Sequence, residues 1–132
     1  MRTPSAPTRL AAFAAASLLL LAACGGGSDS GTPATAPADA LVVKAKDGIA
    51  WDAKTYSATA VDGKVTIFGE NDSPLAHNLY VLDGSDKVIG SHIDLPKKGS
   101  NGTLVFDLAP GTYKIVCKIP GHSNMNSSLT VS

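Results

Sequence analysis

An all-β fold, an antiparallel Greek-key β-sandwich of about eight strands, is what the sequence from Leu41 onward predicts. Three observations carry it. Apolar and polar residues alternate in short runs, turn-forming residues separate most of the runs, and no stretch shows a helical apolar period. The expected strands are Leu41–Lys46, Tyr56–Ala60, Lys64–Glu70, His77–Leu82, Lys87–Ile93, Thr103–Leu108, Thr112–Cys117 and Ser128–Val131.

Each junction has its own chemistry. Asp62-Gly63 is a hairpin-type pair between the second and third runs. Asp83-Gly84-Ser85-Asp86 precedes the fifth run and Lys98-Gly99-Ser100-Asn101-Gly102 the sixth. Asp, Asn and Ser side chains bond their own backbone there, and Gly accepts a positive φ. Pro110-Gly111 reverses the chain before Thr112–Cys117. A run of short strands of this kind closes as two packed sheets.

The ends of the chain read differently. Arg2 and Arg9 precede an apolar stretch, Leu10 to Ala23, that is too short for a comfortable membrane span. It closes on Leu21-Ala22-Ala23-Cys24, which resembles the lipobox of a bacterial lipoprotein. That resemblance implies a signal peptide over residues 1–23 and lipid on Cys24. The mature protein would then be anchored to a bacterial membrane, facing the periplasm or the cell exterior. Residues 24–40 are the lipidated Cys and a Gly/Ser/Pro/Thr-rich linker without hydrophobic periodicity. Residues 41–132 form one domain of ordinary small size.

Loss of residues 1–23 removes two arginines, so nine basic residues face eleven acids and the charge is 9 − 11 = −2. A sum this small gives no reason to expect nucleic acid, or steering toward a charged partner. With Cys24 carrying lipid, Cys117 has no second cysteine for an internal disulfide.

Cys117 begins the run Cys117-Lys118-Ile119-Pro120-Gly121-His122-Ser123-Asn124-Met125. A thiolate, an imidazole and a thioether on one loop are soft or borderline donors. With one more imidazole they make a trigonal His2Cys set with a weak axial Met, the arrangement that suits copper in electron transfer. His77, at the head of a predicted strand, is the candidate. Strand alternation puts His77 on the face of Leu79 and Val81, and Cys117 on the face of Ile115 and Tyr113. The donors are thus in register with core residues. Alone, each has a plainer reading: Cys117 a buried thiol, His77 a satisfied core histidine, Met125 core filler. Together they outweigh it.

From about Tyr56 to Val131 the chain resembles the cupredoxins, through the Cys-His-Met loop after a Pro-Gly-x-Tyr strand and the earlier His77-Asn78. The resemblance implies a cupredoxin-like domain holding one copper ion, Cu(I)/Cu(II). Cys117, His77 and His122 would form its plane, with Met125 as axial ligand. It implies that the backbone N–H of Asn78 points at the thiolate, and that electrons pass through the edge of His122. The expected function is a membrane-tethered, monomeric one-electron carrier between a redox donor and acceptor protein, not an enzyme. Copper oxidases need further histidines, and only His92 remains. The alternative is copper delivery or sequestration. His92 is expected in solvent, and Trp51 is expected as a packing anchor.

Overall fold

The computed structural model describes residues 34–132. The expected signal, Cys24 and the first part of the linker lie outside the described residues. Nine strands are present: β1 Leu41–Lys46, β2 Ala50–Trp51, β3 Thr55–Ala58, β4 Lys64–Asn71, β5 His77–Leu82, β6 Val88–Leu95, β7 Asn101–Asp107, β8 Gly111–Val116 and β9 Asn126–Val131. They form a four-stranded sheet ordered β2-β1-β4-β7 and a five-stranded sheet ordered β3-β9-β8-β5-β6. Among the described residues there is no helix long and apolar enough to cross a membrane.

The sandwich agrees with the sequence reading, and two pairings correct it. β1 runs parallel to β4, and β3 runs parallel to β9, where antiparallel neighbours were expected. The reason lies at Asp62-Gly63. Both residues have positive φ, and Val61 and Lys64 exchange two backbone hydrogen bonds of 2.9 and 3.0 Å. This is a tight type I′ reversal. Its flanks then part: β3 joins the five-stranded sheet and β4 the four-stranded one. Alternation tells which face of a strand is buried, but not which neighbour it will find. The ninth strand, β2, has only two residues, too few to alternate.

The inward faces follow the period of two. Val65 and Ile67 of β4, Leu79 and Val81 of β5, Ile115 of β8, and Leu129 and Val131 of β9 are sealed from solvent with Trp51 and Phe106. Each buried Leu, Ile or Val of this kind stabilises the fold by about 1.5–3 kcal/mol. The sheets approach closely where β6 folds over β4 and β7. A Cβ on Gly102 would lie 2.7 Å from Ile93 Cγ2, and one on Gly69 would lie 3.4 Å from Leu79 Cδ1. Only a bare backbone fits at Gly102.

β6 carries a bulge opposite Leu79–Val81, with Gly90 at φ +65°. It presents His92 on the outer face, stacked on Tyr80 at 4.5 Å between ring centroids and 3.2 Å from Asp94. His92 therefore lies on the sheet exterior, half-buried rather than freely solvated. Trp51 is a core residue, as expected.

Candidate metal centre

His77 is the first residue of β5 and faces inward, 2% exposed. The segment delivering it, Asn71-Asp72-Ser73-Pro74-Leu75-Ala76, is held by one buried side chain. Asn71 Nδ2 donates to the carbonyls of Leu75 (2.7 Å) and Leu95 (2.9 Å), and its Oδ1 accepts from Ser73 N–H (2.8 Å). Leu75 N–H in turn donates to Ser73 Oγ at 3.1 Å. Leu95 is the β6 partner of His77. The approach to His77 is thus tied to the neighbouring strand through a single amide. The backbone of Asn71 also exchanges hydrogen bonds with Ser100 and Gly99. Neither Asn71 nor Ser73 stood out in the sequence. The available signal was an Asn-x-Ser-Pro turn just ahead of a candidate ligand.

Cys117 directly follows β8, the strand next to β5, where Val116 pairs with Tyr80. Beyond the ladder, Lys118 N–H donates to Asn78 Oδ1 at 2.7 Å, bringing the residue after Cys117 onto the residue after His77. This side-chain bond is the contact the structure gives Asn78 here, where a backbone N–H directed at the thiolate was expected. The loop then closes on itself. His122 N–H donates to Ile119 O at 3.0 Å across Pro120 and Gly121, and Gly121 has φ +88°. That is a type II turn with Pro and Gly in their favoured places. Met125 N–H donates to His122 O (2.9 Å) and Cys117 N–H to Met125 O (3.0 Å).

The result is a compact donor cluster. One donor atom each from His77, Cys117 and His122 lies within 4.8 Å of the other two. Cys117 Sγ is 3.6 Å from His122 Nδ1, and the two imidazole centroids are 4.9 Å apart. Cys117 is 6% exposed, Met125 1% and His122 9%. Met125 belongs to the same core cluster as Cys117. Both ring nitrogens of His77 are buried without a hydrogen-bond partner. Burial, and then the neighbouring His122, hold the His77 pKa below its ordinary value. This shift favours the neutral imidazole, the form that offers a lone pair to a metal. Two imidazoles and one thiol, with no carboxylate among them, suit a soft or borderline cation.

No protein-family model matches the sequence, and no curated protein sequence matches it. Solved structures do match. An auracyanin from Roseiflexus castenholzii shares 20% identity at a TM-score of 0.62, over 74% of this chain and 99% of that one. Auracyanin A from Chloroflexus aurantiacus, a "blue" copper protein, shares 20% identity at a TM-score of 0.60, over 70% and 98%. An azurin from Methylomonas sp. strain J shares 16% at 0.60, over 73% and 99%. The chain has the cupredoxin-like sandwich fold.

Asn71→Ala is expected to strand two carbonyls and one N–H beside His77. Stability should fall by about 1–3 kcal/mol, read from the denaturant midpoint at unchanged slope. Asn71→Asp would set a carboxylate oxygen against the carbonyls of Leu75 and Leu95, so at neutral pH it should destabilise at least as much as Asn71→Ala. A wild-type midpoint in Asn71→Ala would remove this residue from the scaffold of the site.

Proposed function

We propose that this chain is a membrane-tethered mononuclear blue-copper protein that carries one electron between a donor and an acceptor redox protein. One observation carries the copper reading. A thiol and two imidazoles meet in a nearly dry site, and one imidazole has no other partner. His77, Cys117 and His122 would hold the ion, and Met125 would add a weak thioether donor. Zinc fits less well, because it favours further thiolates or a carboxylate and a thioether is a poor ligand for it. Bound copper would supply the Cu(I)/Cu(II) couple.

The chain's own contribution is to keep the donors still. Cys117, His122 and Met125 are each fixed by a backbone bond within the loop, and His77 is fixed at the head of a paired strand. A set that hardly moves needs little reorganisation when an electron arrives. His122 is more exposed than His77, and half-buried Ile119 and exposed Pro120 precede it on the same loop. Its ring edge is the proposed point of exchange. The tether reading rests on the Arg-flanked apolar run and Leu21-Ala22-Ala23-Cys24. On that reading the domain is anchored outside the cytoplasm, and a monomer is the state we propose for it.

The oxidised, copper-loaded protein is expected to show an intense visible thiolate-to-copper band. Cys117→Ala should abolish the band and His92→Ala should leave it unchanged. Preferential zinc binding, or a band that survives in Cys117→Ala, would overturn the assignment.

Met125→Leu removes a weak donor and spares the plane. Copper should stay bound while the reduction potential moves upward, with reversible voltammetry. Release of Cu(I) to a chelator on reduction would replace the carrier with a copper-delivery protein.

Cys24→Ser is expected to move the mature protein from the membrane to the soluble fraction or to block its processing. Identical fractionation of variant and wild type would remove the tether.

A further inference from the structure

The small net charge of the folded part conceals an uneven distribution. Setting aside Arg2, Arg9 and Asp29, residues 34–132 hold nine lysines and ten acids. β1 and β4 end, and β5, β7 and β9 begin, at the end of the sandwich that holds the donor cluster. The segments joined there, 46–54, 72–76, 96–100 and 117–125, carry five lysines and three aspartates, a net 5 − 3 = +2. The rest of the described domain carries four lysines and seven acids, a net 4 − 7 = −3.

The pairing pattern sharpens this contrast. Outside those four segments, Lys44, Lys64 and Lys114 are each held by an acid, Glu70, Asp107 and Asp86 respectively. At the site end Asp72 is held by Lys46, and Asp52 accepts from the Tyr56 hydroxyl. Lys97, Lys98 and Lys118 are exposed, and among the described residues no acid lies within ion-pair distance of them. Lys97 and Lys98 lie two and three residues after Leu95, the β6 partner of His77, and Lys118 follows Cys117. The Lys118 ammonium lies 5.4 Å from the Tyr80 ring centroid. Asp94, opposite Asn78 in the β5–β6 ladder, lies 3.2 Å from His92 and leaves one carboxylate near this surface. Leu75, 45% exposed, adds an apolar side chain in a segment at the same end.

We propose that this end of the sandwich docks a redox partner through an acidic face on that partner, with Lys97, Lys98 and Lys118 meeting its carboxylates around the His122 edge. The proposal rests on the electron-carrier reading and adds the charge of the partner. Screening makes the local sign count. Strands of this length span about 20–26 Å, against a Debye length of about 8 Å at physiological ionic strength. A partner at the His122 end therefore meets the positive cap, and the negative remainder is largely screened.

The test has a copper-free arm and a copper-loaded arm. Polyglutamate added to the isotope-labelled, metal-free full chain at low salt should shift the amide signals of residues 96–100 and 117–122. Lys97→Gln/Lys98→Gln/Lys118→Gln should weaken that response roughly tenfold, and Lys87→Gln, elsewhere on the domain, should not. Shifts spread over the whole surface, or an undiminished response in the triple variant, overturn the docking face. The copper assignment is judged separately, by the thiolate-to-copper band. In the loaded protein, the rate with hexacyanoferrate(III) should fall roughly tenfold between about 10 mM and about 0.15 M salt. The overall negative charge by itself requires a rise, so a rise overturns the proposal. A triple variant altered only in its binding to phosphatidylglycerol vesicles assigns the face to lipid, and the proposal fails.

Discussion

The end of the sandwich that holds the site is organised around an imidazole sealed from water with no hydrogen bond. A buried polar atom left unpaired costs about 1–3 kcal/mol, and His77 has two. Its position leaves no escape, because the alternation that buries Leu79 and Val81 buries His77 on the same face. The lowered pKa of His77 spares the fold a buried charge but gives neither nitrogen a partner. What faces the ring is a thiol and a second imidazole. A metal ion bound through one of the two nitrogens would turn part of this deficit into a bond, and the surrounding hydrogen bonds keep the ring in place.

Those supports divide into a local part and a distant part. The loop from Cys117 to Met125 is largely self-contained: a type II turn, a second turn at His122–Met125 and a bond from Met125 O back to Cys117. It fixes three of the four proposed donors within nine residues. His77 comes from 40 positions earlier in the chain and is placed by β5 pairing with β6 and β8. Asn71 couples the two kinds of support, because its side chain holds the approach to His77 while its backbone holds the β6–β7 loop.

How much of this was legible before folding follows from the same division. Cys, His and Met are scarce in the chain, with two, three and two copies, so their clustering on one loop is informative. Alternation placed His77 and Cys117 on the buried face, and β1 and β5 fall on their expected residues. Asn71 was not legible, because Asn, Asp, Ser and Pro before a strand read as an ordinary turn, and only the fold brings the Leu95 carbonyl to its amide. The parallel pairings were hidden for a related reason. The type I′ turn at Asp62-Gly63 is local, whereas the partner strands β1 and β9 are chosen by the whole sandwich. The charge asymmetry was hidden by summation, since a net charge averages over ends that screening keeps apart.

The separation of the donors along the sequence also ties metal to fold. An unfolded chain keeps Cys117, His122 and Met125 close together but loses His77, so it retains at best a partial set. An ion that binds the native state preferentially stabilises it by RT ln(1 + [L]/Kd), about 2.7 kcal/mol when the ion is at a hundred times its Kd. That gain is comparable with the penalty of leaving the His77 nitrogens unpaired. The metal-free domain carries that penalty on scaffold bonds alone, chiefly those of Asn71 and of the ligand loop. A scaffold that holds the donors together without an ion is also one that has little reason to move when an ion changes charge. The same rigidity that tolerates an unsatisfied imidazole therefore suits the one-electron role proposed for this site.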